Sequence, residues 1–419
     1  MLTTKTAFSF STLLLLLGLY TVAYAIEANS ELPLTQTVKV KPQSEDGGNL
    51  SWMTLDKEIA KLWEAKISET NPAQMVITHH LAIPNNLLEK QILVLVPKKS
   101  KSYKLAINTL LKVLEDHGLS VKLTIIHFNK DIEQAKAAIA LAEEQNMDLI
   151  FAIGSISVDF VYEYYRDGKI PVVTSTNKDP VVLGQLSNYD QGSGTNIAFT
   201  SLNVPINIQM QYLFELKPKL RTVGLMFSQD NTQTVATEVV PARTAMVQQG
   251  VAPIDVPVES NDTAAQDLLK RIPEAIQTMK KYDPTLRESI FWITGSTAVF
   301  SHIKLINQLA GNIPVLGSIS NVVTEGDDSA LMAIGIDRRN NAFLAGLYAV
   351  KILTGIAQPG ELKLGVVTPP DLAINFRIAR KIGAKIPLHF IESAAFIYNY
   401  EGKAARTFGQ KVSTQPNPQ

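Results

Sequence analysis

The sequence predicts an α/β protein built as two similar doubly wound parallel-sheet lobes. Three observations carry this reading. Short, continuous apolar runs of buried-strand type alternate with helical patterns, starting with ILVLVP at residues 92–97. The alternation restarts with TVGLMFS at residues 222–228. Finally, DLIFAIGSISVDFVYEYYRDGKIPVVTSTN is matched by SIFWITGSTAVFSHIKLINQLAGNIPVLGSISN, with Gly154-Ser155 falling on Gly295-Ser296 and Pro171 on Pro314. A spacing this long marks a domain duplication rather than a solenoid repeat.

The elements follow in order. Lys5, the apolar run from Leu13 to Leu19 and the small-x-small Ala23-Tyr24-Ala25 read as a signal peptide over residues 1–25, cut after Ala25. Its apolar stretch is short of the roughly 20 residues that a membrane span needs. Residues 26–88 read as a polar linker followed by an amphipathic helix, with Leu55, Ile59, Leu62, Trp63 and Ile67 at helical spacing and Asp56 in the first turn. Trp63 is expected to pack on the first lobe. After ILVLVP, a helix presents Tyr103, Ile107, Leu110, Leu111 and Leu114 on one face, and Gly118 suits its end. Then come the strand VKLTIIHF, the helix EQAKAAIALAEEQ, the strand DLIFAIGS, the helix ISVDFVYEYYRDG and the strand IPVVTSTN. The expected boundaries are 89–200 plus 320–360 for lobe 1 and 201–319 plus 361–401 for lobe 2. A disordered tail is expected over 402–419, where Pro416 and Pro418 argue against structure.

Composition narrows the function. Lys plus Arg and Asp plus Glu both number 39 in 419 residues, so no general attraction to nucleic acid or an anionic membrane is expected. With no cysteine, disulfides and thiol chemistry are excluded. An exported chain of this kind is expected to be a soluble, monomeric protein of the periplasm. The constellations of an enzyme are missing. There is no Gly-x-Ser-x-Gly elbow and no phosphate-loop motif, and GSGTN at residues 192–196 lacks the glycine spacing of a dinucleotide site. His79-His80 are sequence neighbours and the other histidines are scattered, so no metal site and no cofactor are expected.

Binding is the alternative to catalysis. In open parallel sheets, ligands lie beyond the carboxyl ends of the strands, where helix N-termini present free N–H groups. Both lobes carry small polar clusters there: Gly154-Ser155 and residues 174–177 in the first, Gly295-Ser296-Thr297 and Gly317-Ser318 in the second. Any one of these residues alone could be a helix cap. Two lobes repeating the arrangement point to a shared cleft.

These residues also carry a resemblance. IPVVTSTNKDPVVLGQL, GLMFSQDNTQTV and DLAINFRIARKIGAKIP resemble collinear segments of the TrpX-like substrate-binding proteins of ABC transporters, over about residues 92–398. The resemblance implies a clamshell that traps a small solute between its lobes by hinge closure and presents it to a membrane permease. It places the crossings between lobes near residues 200–205, 318–321 and 355–370. It implies ligand contacts from Ser155, Thr174, Ser175, Thr176 and Asp179 on lobe 1, and from Asn231, Thr232, Ser296, Thr297, Ser318 and Ser320 on lobe 2, with Asp179 as partner for an ammonium. Tyr162 and Phe300, on equivalent helices, are the candidates for an apolar wall. The chain departs from the family in two places. Uncharged Gly295-Ser296 stand where many members carry an acid, and DRRNNAFLAG replaces a tyrosine-containing turn. Loss of an acidic partner leaves an amino acid and a neutral or apolar solute equally open. A ligand-sensing module docking on a membrane receptor, or an exported enzyme, is the alternative reading.

Overall fold

A computed structural model of the chain describes residues 49–80 and 89–412. The segment read as a signal peptide, most of the linker and residues 413–419 lie outside them. Lobe 1 is built on a sheet of β1 (Trp63–Ile67), β2 (Gln74–His79), β3 (Lys90–Val96), β4 (Val121–His127), β5 (Leu149–Ile153), β6 (Val172–Ser175) and β7 (Ile197–Ala198), in the order β1-β2-β4-β3-β5-β6-β7. The pairings from β4 through β7 are all parallel. ILVLVP behaves as its pattern requires. Ile92, Val94 and Val96 pack with Leu110 and Leu111 of the helix Lys101–Asp116, whereas Leu93 and Leu95 face Ala138 and Val158 of the helices Ile132–Glu144 and Ser155–Tyr164. Burial on both faces is what permits an uninterrupted apolar strand.

The expected amphipathic helix before lobe 1 is not formed. Apart from a short 3-10 turn at Ile59–Lys61, the segment is extended, and β1 and β2 make an antiparallel hairpin that β2 joins to β4. The reason is tertiary: the turn at Asn71-Pro72 folds β2 back on β1, and β2 takes its other hydrogen bonds from β4, so the segment is held as sheet against its helical spacing. β2 alternates, burying Met75 and Ile77 beside Trp63 of β1 in the lobe 1 core, whereas Ile67 at the end of β1 and Leu62 just before it are exposed. Trp63 does pack on lobe 1, but from a strand.

Lobe 2 repeats the plan. β8 (Thr200–Ser201) leads out of lobe 1, and β9 (Thr222–Ser228), β10 (Ala252–Val258), β11 (Ser289–Ile293), β12 (Val315–Gly317) and β13 (Met332–Gly335) follow. Their order, β10-β9-β11-β12-β13, is that of β4-β3-β5-β6-β7, and every pairing is parallel. The duplication read from the sequence is therefore a duplication of topology. Beyond β13, the lobe 2 sheet continues through β15, β16, β17 and β18 once the hinge strand β14 (Gly365–Val366) has paired with β8; these are Asp371–Asn375, Ala394–Tyr398, Ala404–Thr407 and Gln410–Lys411.

Three corrections to the expected boundaries follow. Residues 320–335 belong to lobe 2, because β13 extends its sheet. The second crossing therefore falls at residues 335–338 rather than 318–321, where a short 3-10 turn, Ser320–Val322, stays within lobe 2. Residues 404–411, expected as tail, are paired strands. After the second crossing, the helix Arg338–Leu353 returns to lobe 1 and packs on Lys101–Asp116. There Gly346 lets the backbones approach, since a Cβ would sit 3.0 Å from Val113.

A buried polar knot ties the crossings together. Asn341, fully buried, accepts from the Thr176 backbone N–H at 2.8 Å and donates through Nδ2 to the Ser201 carbonyl at 3.1 Å and Thr200 Oγ1 at 3.2 Å. Thr174 Oγ1 accepts from the Thr200 N–H at 2.9 Å, and Thr200 Oγ1 donates to the Thr174 carbonyl at 2.8 Å. Every one of these groups would be costly if left unpaired.

Candidate ligand-binding cleft

A cleft of about 400 Å³ opens where the carboxyl ends of the two sheets meet. Lobe 1 contributes Lys98, Ser100, Ser102 and Tyr103 after β3, Ser155 and Ile156 after β5, and Thr176 and Lys178 after β6. Lobe 2 contributes Asn231, Gln233 and Glu238 after β9, Gly295 and Thr297 after β11, and Ser318, Ile319 and Ser320 after β12. Leu202, Asn203, Ile336 and Arg338 come from the crossings. Each lobe thus supplies loops at equivalent strand ends, as the crevice rule for parallel sheets requires.

Glu238 is the central acid of this cleft. It sits in a single π turn, Val235–Val239, ahead of the helix Val240–Gln248. Pro241 lacks the N–H that a regular helix would direct to the carbonyl four residues earlier, which favours such a wide turn. The carboxylate is 6 % exposed and accepts from the Gly295 N–H at 2.8 Å, Ser318 Oγ at 2.7 Å, Asn203 Nδ2 at 3.2 Å and Lys178 Nζ at 2.6 Å. Burial pushes its pKa up, but the Lys178 ammonium and the hydrogen bonds outweigh burial and hold it below the ordinary value of 4.5. Gly295 is required by this packing, since a Cβ there would lie 2.8 Å from Glu238 Oε1. The acid that the sequence appeared to lack near Gly295 is therefore present. It arrives from a different segment and lies against Gly295 itself.

Lys178 and Glu238 belong to opposite lobes, so their ion pair spans the cleft. A second bridge runs from Gln233 Nε2 to Asp159 Oδ2 at 2.9 Å, with Gln185 holding the other Asp159 oxygen at 2.7 Å. At the lobe 1 end, Tyr103 is buried, and burial pushes its phenol to about 12 while the Arg338 charge pulls slightly the other way. Its hydroxyl occupies the space where a Gly154 side chain would fall, and Gly154 has φ +84°. Burial also lowers the pKa of Arg338, partly offset by Asp337 and Tyr103.

Of the sequence-predicted contacts, Ser155, Thr176, Asn231, Thr297, Ser318 and Ser320 line the cleft. The others do not. Thr174 and Ser175 are buried and turned toward the hinge knot, Ser175 Oγ donating to Asn341 Oδ1 at 3.4 Å. Asp179, expected to hold an ammonium, is committed inside lobe 1. Oδ1 accepts from the N–H groups of Val181 and Val182 at 2.9 and 3.3 Å, and Oδ2 accepts from the Tyr189 hydroxyl at 2.6 Å. Thr232 points to solvent, and Ser296 is buried beneath the loop. Tyr162 stacks under Arg166 at 4.9 Å from its ring centroid, and Phe300 packs against the lobe 2 core. Lys98, Tyr103, Lys178, Glu238 and Arg338 were missed. Pro241 inside a helical run was the available signal for Glu238, and no local pattern marked the rest.

Duplicated parallel-sheet lobes, three crossings and a polar cleft between the sheet edges define the type I clamshell of solute-binding proteins. Residues 91–396 match the family model described as ABC transporter substrate binding protein, and the chain belongs to that family. Its fold is similar to that of CD0873, a substrate binding protein with adhesive properties from Clostridium difficile, with a TM-score of 0.57 and 20% identity over 73% of this chain and 98% of that one. An ABC domain from Streptococcus pneumonia in complex with L-Trp has a TM-score of 0.55 and 18% identity, over 74% of this chain and 100% of that one. A conserved domain protein from Vibrio cholerae gives 0.55 and 17%, over 74% and 100%. No curated protein is matched. Among the described residues, no helix is long and apolar enough to cross a membrane.

Proposed function

We propose that this protein is the periplasmic capture component of an ABC transporter: a monomer that closes two lobes around a small solute and presents it to a membrane permease. One observation carries the reading. The cleft is lined from equivalent strand ends of both lobes, and its central carboxylate, Glu238, is reached by Lys178 from the opposite lobe at 2.6 Å. A ligand entering there would touch both lobes, so it would favour the closed arrangement by its differential affinity for it. Family membership supports the transport role, and the pattern of residues 5–25 supports export with cleavage after Ala25.

The lining supports a polar, charged solute over an apolar one. Hydroxyls, amides and four charged side chains surround the space, whereas Tyr162 and Phe300 pack elsewhere. The L-Trp of the Streptococcus protein does not transfer at 18% identity, which speaks to fold alone. The chain from Ile26 onward should be titrated with amino acids, carboxylates, nucleosides and sugars while thermal unfolding and small-angle scattering are recorded. A cognate solute at a hundredfold excess over Kd should stabilise by about 2.7 kcal/mol and reduce the radius of gyration. Compounds that leave both observables unchanged, in a preparation free of co-purified solute, would refute the capture role.

A further inference from the structure

We infer that the solute carries an oxyanion group, a carboxylate or a phosphate, seated on lobe 1 against Lys98, Tyr103 and Arg338. This rests on the solute-capture reading and adds the chemical class of the cargo. The argument begins with the charges of the cleft. Four charged side chains line it, and Lys178 and Glu238 satisfy each other. Lys98 and Arg338 remain, each without a hydrogen bond or an ion pair among the described residues.

The nearby carboxylates are engaged elsewhere. Asp337, adjacent to Arg338, caps its own helix by accepting from the Arg339 N–H at 2.8 Å. Asp371 accepts from the Asp337 N–H at 2.7 Å and from Asn340 Nδ2 at 2.8 Å. Lys130 adds a further positive charge beside Lys98. Three helices, Lys101–Asp116, Ser155–Tyr164 and Arg338–Leu353, also begin at this end of the cleft and direct the positive ends of their dipoles toward it.

A half-buried guanidinium without a partner is unfavourable unless a ligand completes it. A two-oxygen anion suits the fork of Arg338 and leaves room for a bond from the Tyr103 hydroxyl, which has no hydrogen-bond partner among the described residues and stays protonated at neutral pH. A neutral sugar would leave the Arg338 guanidinium uncompensated, with exposed Lys98 adding positive charge at the rim, and a purely cationic solute would be repelled.

The test uses the chain from Ile26 onward with succinate, glutamate, inorganic phosphate and glycerol phosphate. Succinamide and glucose serve as uncharged controls, and thermal shift and calorimetry are the readouts. Binding by carboxylates alone or by phosphates alone decides between the two sources. The proposal expects Arg338→Met to weaken the anion by at least about tenfold, Arg338→Lys to restore part of the affinity and Tyr103→Phe to cost less. It is overturned if succinamide or glucose binds as well as the anions, if none of the four anions binds, or if Arg338→Met leaves affinity unchanged. Native mass spectrometry of the purified chain separates the two readings. A bound neutral solute defeats the anion assignment and leaves capture standing. A chain with no solute, and no compaction with any of the six compounds, defeats both.

Discussion

Replacing Lys178 by methionine would remove the only counter-charge that Glu238 has across the cleft among the described residues. The side chains are 21% and 5% exposed, respectively, and the pair is 2.6 Å long. Breaking one side of a fully buried pair costs about 3–5 kcal/mol. Here three donors remain on the carboxylate, from Gly295, Ser318 and Asn203, and the lysine reaches some solvent, so a loss of about 1–3 kcal/mol is expected. Glu238→Gln should cost less, because Lys178 can then turn toward water. Urea unfolding of both single variants and the double variant gives the coupling, expected at about 1 kcal/mol or more. Additivity of the two substitutions within about 0.3 kcal/mol would refute the pairing. The pH dependence has a definite sign. The folded carboxyl lies below its ordinary 4.5, so the pair's contribution is complete above that value and fades as pH falls through the lower folded pKa. Without Lys178, burial is opposed by hydrogen bonds alone, and the acid-side loss should begin at higher pH.

Asp179→Ala should lower stability by about 1–3 kcal/mol through the lost turn cap and the Tyr189 bond, while solute affinity measured by calorimetry stays within about twofold. A large loss of affinity with unchanged stability would return Asp179 to the ligand. Trp63→Ala should cost about 3–5 kcal/mol in urea unfolding, because the indole is 1% exposed in the lobe 1 core. An effect under about 1 kcal/mol would mean that the hairpin is an appendage. Asn341→Leu keeps the number of side-chain heavy atoms but strands the Thr176 N–H and the Ser201 carbonyl, and should lower the thermal midpoint by an amount equivalent to about 2–4 kcal/mol.

The lobes were legible because β3, β5, β6 and their counterparts are buried on both faces, which leaves an uninterrupted apolar run in the sequence. The hairpin β1–β2 was not. Leu55, Ile59, Leu62, Trp63 and Ile67 match helical spacing by coincidence, and the decisive facts are the pairing with β4 and the turn at Asn71-Pro72. The cleft was half legible for a similar reason. Small polar residues at strand ends can be read, but where the strand stops decides which way a hydroxyl faces: Thr174 lies within β6 and bonds Thr200 at the hinge, whereas Thr176 lies just past its end at φ +59° and lines the cleft. Lys98, Glu238 and Arg338 stand far apart in sequence and are brought to one space only by the order of crossings.

The Asn341 knot has a mechanical consequence. It clamps the Thr176 loop, β8 and the start of the returning helix into one piece with lobe 1, so those residues cannot be where the chain bends. On the proposed capture reading, bending would be left to the short stretches on the lobe 2 side: residues 202–205, 335–337 and 367–370. The pivot would then be offset from the middle of the molecule. Arg338, just past the second of these stretches, would travel rigidly with Tyr103 and Lys98, while Glu238 would swing away from them as the jaws part.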